Sequence, residues 1–407
     1  MSLLAEQFRA LAAKSKDVNM IAEAKADVGY STGFLNFDFI NGYIATSYDA
    51  TTGDNSDYFV TGLTDGSLNM IIGRSGCGKS TFCAQVAANI VRKFKTACIF
   101  EDSTEGCGMT WQRREQFSGW HNKELHDRYI VRNTGITIEN IYSRINMLKN
   151  IKLENREAYE YDTGKLDNFG NPIKLLEPTV YIIDSLAMLM PGDMMEEEEM
   201  SGSMATTAGA KKVTQMIRGI IPMLKMANII VLIVNHILDD VSLRPKKPSV
   251  AYLKQGETLP KGKTVLYACN NVIRLDDSTK LKEDEKFKIA GSIVSASLVK
   301  SRSARANTAT PLLFSQDTGF DPILSLFLFL QEKGRINGSG VGMFLDDRND
   351  MKFSMGTFKN KALTNPEFSK LFMDIAHDEL SKIPRRPSEI NNSSDRDAID
   401  ALIGGIM

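Results

Sequence analysis

The run Gly73-Arg74-Ser75-Gly76-Cys77-Gly78-Lys79-Ser80, followed by Thr81, has the residue types and spacing of a phosphate cradle. Glycines let backbone N–H groups turn toward one point, and a helix beginning there adds partial positive charge. In this pattern the lysine reaches the β- and γ-phosphates of a nucleotide, and the Ser80 hydroxyl ligates Mg2+. The flanks supply the required strand–loop–helix setting. Residues 67–72 are short and apolar like a buried strand, and Phe82, Val86, Ile90, Val91 and Phe94 recur at helical spacing.

Three further stretches hold residues able to complete a hydrolytic site. Residues 180–183 are an apolar strand ending in Asp184, which at the carboxyl end of an α/β sheet can hold Mg2+ through water. A water attacking a γ-phosphate must also be oriented and relieved of a proton. The strand beginning at Cys98 delivers Glu101, Asp102 and Glu105 near its end; Glu105 is the expected base and Glu101 the alternative. Residues 229–234 are apolar and end in Asn235 and His236, a pair able to hydrogen-bond a γ-phosphate and register its presence.

The elements that must carry these groups alternate. Strands are expected at 96–100, 129–132, 179–183 and 229–234, and helices at 111–117, 138–148 and 211–226. This rhythm implies crossover connections and an α/β fold, with a mostly parallel twisted sheet covered by helices. Beyond residue 265, strand-like runs at 271–275, 293–299 and 310–314 lack intervening helices and read as an antiparallel extension. Helices are expected at 322–331 and 366–380, separated by a glycine-rich stretch. Residues 1–24 read as an amphipathic helix, 46–66 as a polar loop or irregular hairpin, and 159–172 as a surface hairpin. The expected division is a lead-in over 1–64, a core over 65–335, a C-terminal region over 336–383 and a disordered tail over 384–407.

Composition restricts the function classes. The chain has 407 residues, 43% hydrophobic and 24% charged, with net charge -1, so nucleic-acid binding would need a local basic patch. No apolar stretch is long enough for a membrane span, and no secretory signal is visible. The five cysteines form no C-x-x-C pair and read as free thiols in a reducing, cytoplasmic setting.

In order, the Gly73–Ser80 loop, the strand CIFEDSTEG, the strand VYIIDSL, the strand IVLIVNH with a long loop after it, and Ser297-Leu-Val-Lys300-Ser-Arg302 resemble the RecA-type recombinases, within them the phage UvsX branch. The resemblance covers about residues 65–335. It implies a P-loop NTPase core of RecA type, with ATP and Mg2+ as cofactors. It matches Lys79, Ser80 and Asp184 to the nucleotide and metal groups, Glu105 to the catalytic glutamate, and His236 to the sensor. The chain reads D-S-T-E where the phage pattern is D-S-E. Lys300 and Arg302 match cations that reach a neighbour's γ-phosphate, and Arg113 or Arg114 matches the group covering adenine.

The resemblance further implies a helical filament on single-stranded DNA that pairs with duplex DNA, in the cytoplasm of a host cell if virus-encoded. Single-strand-binding and mediator proteins are the implied accessory partners. Two loops are expected to touch DNA. The first, about 190–208, carries the anionic run Glu196–Glu199, which would repel phosphate; either that run points away from the DNA, or the DNA path relies on Ser201–Ser203 with Lys211 and Lys212. The second, about 238–266, carries Arg244, Lys246, Lys247, Lys254, Lys261 and Lys263, a cationic set able to track a single strand. The alternatives are a RecA-fold hexameric helicase and a non-catalytic, ATP-binding mediator paralogue.

Overall fold

A computed structural model describes residues 28–48, 52, 54–105, 108–119, 123–166, 172–196, 203–239, 252–261, 263–282, 287 and 289–385. The apolar runs of the middle of the chain pair into one nine-stranded sheet. Its first half comprises β1 (Leu68–Gly73), α1 (Lys79–Val91), β2 (Ile99–Ser103), α2 (Trp111–Ser118), β3 (Tyr129–Arg132), α3 (Ile138–Glu154) and β4 (Thr179–Asp184). Then come α4 (Ser203–Ala227), β5 (Ile229–His236), a short ribbon of β6 (Leu238–Asp239) and β7 (Glu257–Thr258), and α5 (Lys263–Ala268). The last part holds β8 (Asn271–Leu281), β9 (Gly291–Ser301), β10 (Thr308–Ser315), β11 (Gly319–Asp321), α6 (Pro322–Glu332), α7 (Met355–Thr364) and α8 (Pro366–Leu380).

The strand order is β11-β10-β9-β8-β1-β5-β4-β2-β3. All pairings from β8 to β3 are parallel, and those from β8 to β11 are antiparallel. The protein is therefore a mixed α/β structure with a large, mostly parallel sheet flanked by helices and an antiparallel extension. Strands β1, β4 and β5 are near-continuous apolar runs because both of their faces are covered. Phe82, Val86 and Ile90 of α1 fill one face of the sheet. Ile141 and Ile145 of α3 and Ile217, Ile220 and Leu224 of α4 fill the other. A third cluster joins Phe327 of α6, Phe358 of α7 and Phe368 and Phe372 of α8. Phe358 packs edge-to-face on Phe372 at 5.1 Å, joining α7 to α8, and lies 4.6 Å from Phe327 of α6, which shares its cluster with Leu313 of β10 at the end of the sheet.

Several elements exceed the expected spans. Helix α3 runs on to Glu154, and α4 begins eight residues before Lys211. The lead-in contains a helix at Leu35–Ile40 and a regular hairpin, Tyr43–Tyr48 with Asn55–Val60. The expected 159–172 hairpin pairs Glu160–Leu166 with Pro172–Leu176, with its tip outside the described residues. Helix α7 was not expected; its signal is the local cap in which Ser354 and Thr357 exchange hydrogen bonds. Helix α8 starts and stops as expected, with Asn365 capping and Pro366 in the first turn. The expected 1–24 helix and the tail beyond 385 lie outside the described residues. Among the described residues, no helix is long and apolar enough to cross a membrane.

Candidate functional site

The parallel strands bring the candidate residues to one edge of the sheet. Asp184 is level with Val234 on β5 and Ser103 on β2, and Gly73 is level with His236. Side chains far apart in sequence thus converge at the carboxyl ends of adjacent strands, where open α/β sheets bind ligands.

Between β1 and α1 the chain turns through Gly76 and Gly78, at φ of +82° and +83°, a conformation that disfavours any side chain. Lys79 is buried, and its Nζ donates to the Arg74 carbonyl at 2.7 Å. The Ser80 hydroxyl lies beside the Asp184 carboxyl. Burial pushes the Asp184 carboxyl up to about 6; the Ser80 hydroxyl opposes the shift, and the nearby charges of Glu101 and Glu105 add to it. Cys77 in the same loop is buried, and burial pushes its thiol up. Cys83, Cys98 and Cys269 are also free, and Cys107 lies outside the described residues.

The three acids after Phe100 have separate fates. Glu101 is buried and receives Nε of Arg114 at 3.0 Å, a second guanidinium nitrogen, and the Tyr129 hydroxyl. Asp102 is buried against Arg144 and the Tyr181 hydroxyl. Glu105 faces the site. Its Oε1 is 2.9 Å from His236 Nε2 and accepts from Ser185 Oγ at 3.1 Å. The extra residue of D-S-T-E has its own place. The backbone N–H of Thr104 donates to the Asp184 carbonyl at 2.7 Å, and its hydroxyl bridges the backbone carbonyl and N–H of Ser185 at 2.8 Å each. Thr104 thus fixes the segment to the end of β4, and Glu105 projects beyond it.

This geometry corrects two assignments. Glu101 is enclosed by its ion pair and is not placed to orient a water. Arg114, with that pair and a bond to the Met109 carbonyl, is buried structure rather than a cover for a base; Arg113 is exposed, 5.7 Å from the Phe117 ring centre. A third correction concerns Asn235. It is buried, donates to the Pro260 carbonyl at 2.9 Å and accepts the His236 N–H at 3.0 Å, so His236 alone of the pair faces the site.

Lys300 and Arg302 lie elsewhere. Lys300 is level with Val272, and Arg302 N–H bonds the Asn270 carbonyl, whereas Gly73 is level with Leu275. At about 3.3 Å per residue they sit roughly 10 and 16 Å down the strands, at the opposite edge. There the Lys300 ammonium donates to the carbonyls of Leu266, Tyr267 and Cys269 at 2.6–2.9 Å, and Arg302 to that of Tyr267 at 2.9 Å. Together they cap the carboxyl end of α5.

Of the expected DNA contacts, Arg244, Lys246 and Lys247 lie outside the described residues, as do Glu197–Glu199. Lys254 is exposed, 3.6 Å from Asp276. Lys261 is half-buried and donates to the Leu189 carbonyl, and burial lowers its pKa. Lys263 opens α5. Lys211 is exposed, but Lys212 bridges Glu139 at 3.1 Å and Asp193 at 2.7 Å, which cancels much of its charge.

Among the described residues, no three His, Cys, Asp or Glu side chains are grouped to hold a metal. The donors present, one hydroxyl and one carboxylate, fit Mg2+, which keeps waters and takes phosphate oxygens as its other ligands. Sequence reasoning missed the Thr104 staple, the Ser185 bond to Glu105, and a bidentate pair between Arg74 and Asp239. Their only advance signal is a polar residue next to each motif. No known protein-family model matches the chain, and no curated protein matches it.

Proposed function

We propose that the chain is an ATP-dependent DNA recombinase of RecA type, which assembles as a filament on single-stranded DNA and exchanges strands with duplex DNA. The observation that carries the ATPase part is Glu105, held by Ser185 and His236 beside the Lys79–Ser80–Asp184 group. ATP is the substrate. Bound Mg2+ would be held by Ser80 and Asp184 and supplies charge neutralisation across the phosphates. Lys79 exchanges the Arg74 carbonyl for phosphate oxygen. Glu105 accepts a proton from a water whose oxygen bonds the γ-phosphorus as the bond to the β–γ bridging oxygen breaks, leaving ADP and phosphate. A γ-phosphate competes for the His236 N–H, so the hold on Glu105 changes with the nucleotide.

The recombinase part rests on the motif order and on the cations at the far edge of the sheet. Lys300 and Arg302 are turned away from the Gly73–Ser80 loop of their own chain. They meet such a loop only on another copy stacked head to tail, an arrangement that generates rings or filaments. The test is electron-microscopic imaging of the purified protein with single-stranded DNA and a slowly hydrolysed ATP analogue. Helical filaments requiring both ligands are expected. Closed rings favour the helicase reading, and dispersed monomers the non-catalytic one.

A further inference from the structure

The Arg74 side chain, within the Gly73–Ser80 run, is engaged outside the phosphate cradle. It extends from the loop to β6, where its two terminal nitrogens reach the Asp239 carboxylate at 2.6 and 3.1 Å. Both side chains are open to solvent, at 56% and 66% exposure. The same residue's backbone carbonyl accepts from Lys79 Nζ. Arg74 therefore touches the buried lysine through its main chain and the β6–β7 ribbon through its side chain.

The two strands of that ribbon are held very differently. Asp239 is level with Glu257 on β7. Glu257 is buried and takes two bonds from the buried Arg274 of β8, at 2.7 and 2.8 Å. β7 is thus fixed into the core, while β6 is held by its pairing to β7, by the Ile237 N–H on the Gly73 carbonyl at 3.0 Å just before it, and by an exposed ion pair to the loop. Exposed pairs contribute little to stability, which suits a contact that has to break.

We propose that Asp239 is a built-in competitor for the Arg74 guanidinium, displaced by the polyphosphate of a bound nucleotide, so that nucleotide binding releases β6 from the loop. The inference rests on the nucleotide reading of the Gly73–Ser80 loop and adds a determinant of its affinity. Guanidinium binds phosphate oxygens in the same two-pronged geometry as a carboxylate, and the polyphosphate carries more charge. The coupling is reciprocal: whatever nucleotide binding does to the Arg74–Asp239 contact, that contact does to nucleotide affinity.

The experiment uses the full chain, its Asp239→Asn variant and its Arg74→Gln variant. Mg2+–ATP affinity is measured by titration, and amide hydrogen exchange is followed over 237–239 and 257–261. In the unmodified chain, ATP should raise exchange over 237–239 while 257–261 stays protected. Asp239→Asn should exchange faster over 237–239 before nucleotide is added and bind ATP about two- to fivefold more tightly, the range open to an exposed pair. Arg74→Gln should also exchange faster there but bind ATP more weakly. A purely structural pair would move both variants' affinities in the same direction, or neither, and either result overturns the proposal. ATP binding to the unmodified chain without faster exchange over 237–239 overturns it alone. An unmodified chain that binds no ATP overturns it together with the nucleotide reading.

Discussion

Replacing Glu101 and Glu105 separately by glutamine should divide stability from turnover. Glu101 and Arg114 are 7% and 5% exposed, and the glutamate also accepts the Tyr129 hydroxyl. Glu101→Gln leaves a buried guanidinium without its counter-charge, which costs about 3–5 kcal/mol. At about 2.1 cal/mol/K per residue, unfolding a chain of this length has an entropy near 0.85 kcal/mol/K, so Tm should fall by roughly 4–6 °C. Glu105 is 44% exposed and, among the described residues, bonds the side chains of Ser185 and His236. Glu105→Gln should move Tm by about 1 °C or less. Its ATP turnover should fall by about 10²–10⁴, the contribution of a positioned base, with ATP binding retained. The assays are calorimetry and steady-state phosphate release. The reverse pattern, a destabilised Glu105→Gln with normal turnover and a stable, inactive Glu101→Gln, would refute the assignment of roles.

Lys79→Ala should lose at least tenfold in ATP affinity by equilibrium titration; unchanged affinity would remove the loop from the nucleotide site. Asp184 must be ionised to hold Mg2+, and burial sets its pKa at about 6. Protons therefore compete below that pH, and Mg2+-dependent nucleotide affinity should fall as pH drops from 7 to 5, with Asp184→Asn lacking that metal-linked slope. Lys152 is buried against the Glu177 carbonyl and the Thr179 hydroxyl, and burial lowers its pKa to about 7. The unfolded chain keeps that proton to higher pH, so stability should rise from pH 7 to 10 by at most about 1.4 kcal/mol per unit. Lys152→Met should flatten this rise in urea unfolding.

The parts of the site carried on parallel strands were legible because an apolar run ending in a polar residue marks both the strand and its functional end. Asp184 and His236 end such runs, and register brings the ends of their strands together; Glu105 lies two residues beyond β2 and meets His236 through its side chain. Partnership was not legible. Nothing in the run Glu101-Asp102-Ser103-Thr104-Glu105 says which acid is enclosed, because Arg114, Tyr129, Arg144 and Tyr181 arrive from later elements. Likewise, Lys300 comes to the far edge only because β9 returns antiparallel to β8, a pairing set by tertiary contact. Helix α7 was hidden because Gly356 and Thr357 are poor helix formers, and its support comes from Phe358 packing on α6 and α8.

The proposed ATPase needs a neighbouring copy to complete it, and the rate of ATP hydrolysis per chain across protein concentration, with and without single-stranded DNA, tests this. The rate should rise steeply with concentration, reach its plateau at lower protein when DNA is present, and be abolished by Arg302→Ala at every concentration. A rate per chain that is constant on dilution, indifferent to DNA and unaffected by Arg302→Ala would contradict it.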